Sequence, residues 1–367
     1  MVVLLFLLFA DSFDVKLREG LAALNRNDLA AAQASLEAAS LMQPESARPW
    51  VGLAQAHFRS GRAEQAREAA RKAESLGGAD PVALYGLAMF HLQSGSPKAA
   101  VETGRRLIAL EDRAEARNLL GKALEAEGRF DEAIAELHQA VRLNRYEESH
   151  HFDLAQLLLR RQKFDAAIQT LEASRKIFAR SGQLELALGV AYYGQRRFAE
   201  AVESFLRTIA IAPEAEQPYV FLSRIIDQAG ERLGEIAARF AAFAKANPGS
   251  YLGCYLQAKA GLAQGGDAGR AERLLRQAIA IESRHAESHF ELGGLLEKQR
   301  LWVEAAREFQ RAAELSPHDP VPHYRLARIF DRLGQAERAE AERALHQRLS
   351  AEEAAAIDRR VAAFAVK

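Results

Sequence analysis

The chain offers few residues whose type and spacing could do chemistry. His285 and His289 stand four apart, with Glu287 and Glu291 beside them, so that both imidazoles would share one side of a helix. A zinc site would need a His-Glu-x-x-His element or a third ligand at a defined spacing, and the sequence has neither. His151, His289 and His323 fall at equivalent points of a recurring pattern, where a large side chain is expected to pack, and His150-His151 reads as a helix start. Cys254 is the single cysteine, which excludes an intramolecular disulfide and a cysteine zinc cluster and fits either a reducing or an oxidising compartment. No sequence-adjacent base or positive charge marks it as a nucleophile, so it reads as a structural thiol. Gly265-Gly266 and Gly293-Gly294 lack the Lys-Ser/Thr of a phosphate loop and follow no predicted strand. The acidic residues are abundant solvated helix charges, and abundance singles out no acid–base pair. The chain is therefore read as non-enzymatic, with no cofactor and no metal.

The element that must position these residues is a repeated pair of short helices, clearest from Ala286 to Pro317. In its first helix (helix A), Leu292 and Leu296 fill a seam, and Gly293 lets a neighbouring helix come close. In its second (helix B), Ala305, Phe309 and Ala312 fall at i, i+4 and i+7 on one face, two small residues around one large one. Pro317 stops the second helix. The arrangement recurs every 33 to 35 residues, in units starting at Phe13, Ala47, Pro81, Ala114, Glu148, Gly182, Glu216, Tyr251, Ala286 and Pro320. Neither helix can bury its apolar face alone, so each unit completes its core on the next. Three units depart from the pattern. Gly104 stands where the third expects a large residue, which predicts a void or a mobile helix pair. The seventh carries an extra residue before Pro248, and the eighth has a loosened turn at Gln264-Gly265-Gly266-Asp267. These last two mark the expected change of superhelical path.

Composition agrees with a folded, helical chain. Of 367 residues, 49% are apolar and 27% charged, which argues against wholesale disorder. Lys plus Arg and Asp plus Glu both number 49, and no basic run or stripe appears, so nucleic acid is not an expected partner. Residues 2–9 are continuously apolar, too short for an integral membrane span of about 20 residues. Segment 1–12 reads as a signal-peptide remnant without its basic start, or as an apolar helix packed on the first repeat. The first reading favours a periplasmic or secreted location over a cytoplasmic one. Repeats occupy 13–346, and 347–367 reads as a polar capping helix.

The pattern resembles the tetratricopeptide repeat. Leu188-Gly189-Tyr192-Ala201-Phe205-Pro213 and Leu292-Gly293-Ala305-Phe309-Ala312-Pro317 carry the likeness. The resemblance implies an all-α fold, a tetratricopeptide-type α solenoid of about ten antiparallel helix hairpins in a right-handed superhelix. It also implies a noncatalytic scaffold or adaptor whose concave face holds a peptide or partner helix. The alternatives are an enzyme acting on glycan or peptide, and a purely structural assembly component. Helix-A positions two, five, nine and twelve would line the inner face. Position five carries Tyr85, Phe152, Tyr255, Phe290 and Tyr324; position nine carries Lys122, Arg224, Lys259 and Arg328. This aromatic and basic ladder could hold an acidic or aromatic peptide through apolar burial, hydrogen bonds and cation–π contact. Glu287, Asp227 and Asp331 on the same face leave open internal ion pairing instead. Asn118 and Lys122 stand in the reverse order of the family's lysine–asparagine carboxylate clamp, so chaperone-tail binding is not expected. Partner identity and oligomeric state are left open.

Overall fold

The structure, a computed structural model, describes the backbone of residues 2–354 and the side chains of residues 13–352. The side chains of the apolar segment 1–12, and residues 355–367 of the expected capping helix, lie outside the described residues. Among the described residues there are twenty α-helices, two 3-10 turns and no strand. The chain falls into two compact units, 1–157 and 158–367, which divide inside the helix Glu148–Arg160. In the first, Val2–Asn25 packs against Leu29–Met42, Ala47–Arg59 against Ala63–Leu76, Pro81–Gln93 against Pro97–Leu110, and Ala114–Ala126 against Phe130–Leu143. In the second, the regular hairpins pair Gly182–Gly194 with Phe198–Ile211, Tyr251–Ala263 with Ala268–Ile281, Ala286–Lys298 with Trp302–Leu315, and Pro320–Arg332 with Ala336–Ala354. This is an all-α tetratricopeptide-type solenoid.

The turn between the two helices is set at one residue. Position fifteen of every unit has positive φ: Asn27, Gly61, Gly95, Gly128, Gln162, Arg196, Gly230, Gly265, Arg300 and Gly334. In most units the next N–H bonds back to the carbonyl of position eleven, as in Arg62 to His57 at 2.9 Å and Leu301 to Leu296 at 3.0 Å. That bond closes the helix end and satisfies a carbonyl the helix itself leaves unpaired. The eighth turn, expected to be loose, is closed in the same manner: Gly266 N–H reaches Gly261 at 2.8 Å, and Asp267 caps the next helix through Gly269 N. At the other end, Asp80 and Asp319 cap helices that open on Pro81 and Pro320, where no N–H is needed.

Helices A and B meet through a small residue facing a large one. A Cβ built on Gly293 would lie 3.0 Å from Phe309 Cδ1, and one on Gly189 only 2.5 Å from Phe205 Cε1. Phe309 and Phe205 are fully buried. A polar contact nineteen residues apart adds to this seam: Arg117 with Glu136 at 2.7 Å, and His289 with Glu308 and His323 with Glu342, each at 2.6 Å. Position four also reaches back to a carbonyl six residues earlier, through His151 to Arg145 at 3.0 Å and Tyr219 to Pro213 at 2.9 Å. The expected void at Gly104 does not form. A Cβ there would sit 3.3 Å from Leu120 Cδ1, because Leu120 of the following hairpin occupies that space.

The seventh unit is the irregular one. Its first helix is only Gln217–Arg224, followed by 3-10 turns at Ile226–Gln228 and Gly230–Arg232 before Leu233–Ala246. Ser223 Oγ donates to Val220 O at 2.8 Å, and two β-branched residues, Ile225 and Ile226, follow. Both features weaken helix continuation.

Three outcomes follow from this packing. Phe309→Ala removes a fully buried ring and should lower stability by about 3–5 kcal/mol, read as a drop in the urea midpoint. Gly128→Ala, at φ +85°, should cost about 1 kcal/mol, while Arg300→Gly, at φ +63°, should stabilise by up to about 1 kcal/mol, both by the same titration. The third concerns pH. Burial pushes His57, His91, His138, His150, His151 and His285 below the usual histidine value. His150 is buried with neither ring nitrogen hydrogen-bonded, and burial outweighs the pull of Glu147, Glu115 and Asp153. A depressed folded-state value means the stabilisation is complete above the unfolded value, about 6.5, and declines as pH falls below it. The urea midpoint should therefore fall between pH 7.5 and 5.5, and His150→Leu should flatten part of that slope.

Candidate functional site

The ladder residues sit on helices A, and each unit is described separately. In the first, Tyr85 is 39% exposed on Pro81–Gln93, and Phe152 is half-buried. Lys122 Nζ lies 2.7 Å from Asp153 Oδ2, which also accepts from Asn118 Nδ2 at 2.8 Å. The residues in reversed clamp order thus converge on one carboxylate of their own chain.

In the second unit, Arg224 contacts Glu287 at 3.1 Å, a pair 63 residues apart in sequence. Lys259 pairs with Glu291. Tyr255 is buried, with its ring edge-on to His285 at 4.9 Å, and burial pushes its phenol well above the usual tyrosine value. Phe290 packs edge-to-face on Phe309 at 5.3 Å. Tyr324 stays 46% exposed beneath the Arg328 guanidinium, 5.7 Å from its ring centre. Glu297 accepts from Arg325 at 3.1 Å and lies 3.9 Å from Arg328. Between these helices is a cavity of about 370 Å³, bordered by Phe290, Gly294, Trp302, Phe309, Arg325 and Arg328.

The structure therefore brings Phe290, Tyr324 and Arg328 into one neighbourhood and sets Tyr255 into the core. All four ladder cations have an acidic neighbour on another helix. Of these acids, sequence reasoning named Glu287 on the face, weighed Glu291 only as a neighbour of the histidines and missed Asp153 and Glu297; Gly294 was weighed only for phosphate cradling, and Trp302 and Arg325 were missed. A signal existed for two of the acids. Asp153 and Glu291 occupy position six of the unit that follows a position-nine lysine, 31 and 32 residues on, about one helix spacing away. Asp331, expected as an inner-face acid, pairs with Arg343 at 2.9 Å.

Chemically, such a surface can bury aromatic area and exchange ion-pair partners. Burial pushes the Cys254 thiol up, which disfavours a reactive thiolate. His285 Nδ1 lies 2.7 Å from Ser288 Oγ, and its Nε2 is 3.4 Å from Glu287. Ser288 is fully buried in the first turn of its helix, so this contact belongs to the helix start. Among the described residues, no group of three or more His, Cys, Asp and Glu side chains is placed to hold a metal ion, and no helix is long and apolar enough to cross a membrane.

Comparison with known proteins follows the same lines. A tetratricopeptide-repeat family model matches residues 17–81, 85–148, 152–216 and 255–320, more than half of the chain, and passes over the irregular seventh unit. A comparison with curated proteins gives no match. Among solved structures, PilF of Pseudomonas aeruginosa is 19% identical, over 59% of this chain and 99% of that chain, with a TM-score of 0.47. The C-terminal part of a tetratricopeptide-repeat protein from Cytophaga hutchinsonii is 17% identical, over 75% of this chain and 99% of that one, with a TM-score of 0.47. YrrB, described as having an unusual peptide-binding site, is 20% identical, over 51% of this chain and 96% of that chain, with a TM-score of 0.41. At such identities the likeness concerns the fold alone. With repeat length, turn geometry and helix seam in accord with a family model over most of its length, the chain belongs to the tetratricopeptide-repeat family.

Proposed function

We propose that this protein-interaction scaffold receives a peptide or partner helix on the inner face of its A helices, without catalysis of its own. The observation that carries the reading is the Tyr324 ring, left 46% exposed at position five while Tyr255 at the same position is buried. Exposed tyrosine offers large rigid contact area together with a hydroxyl, which is why it concentrates at binding surfaces. Arg328 over the Tyr324 ring adds a donor at the same place. The cations of the face are already matched by Asp153, Glu287, Glu291 and Glu297. An acidic partner would therefore exchange one carboxylate for another, and the affinity would come mainly from apolar burial, with charge setting orientation.

The test is a random-peptide selection on the full chain, with binding then measured by fluorescence anisotropy. Tyr324→Ala should weaken the selected peptides about tenfold or more, equivalent to about 1.4 kcal/mol. Arg311→Ala, on helix B, should leave them unchanged. Peptides indifferent to the tyrosine substitution, but lost with the helix-B variant, would place the binding surface elsewhere.

A further inference from the structure

Position nine of helix A carries a long cation in four units, Lys122, Arg224, Lys259 and Arg328, yet the ninth unit has Gly294 there. This glycine has no packing reason of the kind seen at Gly293. A Cβ built on Gly294 would meet no atom within 4 Å, whereas one on Gly293 would press on Phe309 at 3.0 Å. A glycine in the interior of Ala286–Lys298 disfavours the helix and makes no close approach in return. What it does is leave out a side chain, and the cavity of about 370 Å³ lies at that gap.

The chemistry of the cavity is uneven. Leu262, Phe290, Leu295, Trp302 and Phe309 form apolar walls from three helices. Five charged residues also border it: Glu291, Glu297, Lys298, Arg325 and Arg328. The two acids are engaged, Glu291 by Lys259, and Glu297 by Arg325 at 3.1 Å with Arg328 at 3.9 Å. Arg328 is 51% exposed and only loosely held, and Lys298 is exposed beside it. The donors not saturated by the protein are thus cationic. The volume, at the low end for ligand pockets, suits one or two side chains.

We infer that the gap at Gly294 is a side-chain pocket for a partner peptide, taking a large apolar side chain next to a carboxylate that pairs with Arg328. This rests on the inner-face binding proposed above, and adds where on that face the peptide is anchored and what it must carry. Arg328 can leave its long contact with Glu297, because Arg325 still holds that carboxylate. The guanidinium lies over the Tyr324 ring, 5.7 Å from its centre, and offers a planar pair of donors to an incoming acid.

The pocket can be filled without touching the core, which makes the test direct. Synthetic peptide libraries of the form X-X-Phe-Asp-X-X would be titrated against the full chain, beside X-X-Ala-Asp-X-X, X-X-Phe-Asn-X-X and X-X-Phe-Lys-X-X. The Phe-Asp library should bind best. Its affinity should drop at least tenfold with Gly294→Leu, and severalfold with Arg328→Gln, while circular dichroism shows Gly294→Leu as helical and at least as heat-stable as the parent. If Gly294→Leu loses helicity, Gly294→Met, with a flexible chain that can follow the cavity, takes its place. Phe-Asp peptides that bind the filled variant as well as the parent, but weaken with Tyr324→Ala, would overturn the pocket and leave inner-face binding standing. Equal or better binding of the Phe-Asn or Phe-Lys library would overturn the carboxylate pairing. Binding by no library would overturn the pocket, and a failed random-peptide selection as well would overturn the inner-face reading with it.

Discussion

The packing of a large helix-B side chain onto a small helix-A residue is the contact on which the other features rest. Phe205 on Gly189 leaves no room for a methyl group between the arms, and Phe309 lies within 3.0 Å of where one on Gly293 would sit. Each such contact buries a ring that the hairpin alone could not cover, and holds the two helices at the close spacing the turn requires. The turn supports this from one end, since a left-handed residue at position fifteen reverses the chain in few residues. The pairs His289–Glu308 and His323–Glu342 support it from within the seam. His289, one of the two histidines whose spacing could suggest metal coordination, is therefore occupied in joining helices, while His285 is engaged at the start of its own helix.

With the hairpins held in this manner, their A helices present side chains at regular intervals to the neighbouring hairpin. Lys122 meets Asp153 and Lys259 meets Glu291 through the same relation, position nine against position six. Most of the charge on this face is thereby neutralised within the chain. A protein with 49 basic and 49 acidic residues can in this way carry a strongly charged face without a strong net field. On the reading proposed above, recognition depends on local departures from the pattern: an exposed tyrosine, an omitted side chain, a loosely held arginine.

The seventh unit is the largest departure. Its first helix ends after eight residues, at Arg224, and that arginine reaches Glu287 two units further on. The regular pairs link neighbouring units, so this contact skips one. The family model passes over the same stretch, which ties the altered pattern of residues to the altered backbone.

Much of this was legible in the sequence because its causes are local. Period, hairpin order, the stop after helix B and the small-against-large seam all depend on residues within one unit, at offsets the α-helix itself dictates. Gly293 and Phe309 could be matched by counting along two adjacent helices. What the tertiary structure alone decided depends on distances between units. Leu120 fills the space beside Gly104, Glu297 binds the cations of another helix, Tyr255 is buried while Tyr324 is not, and Gly294 borders a cavity. Helical periodicity states which face a residue occupies. How far that face stands from its neighbour is set by packing between hairpins, and a difference of a few ångströms there separates a core residue from an exposed one.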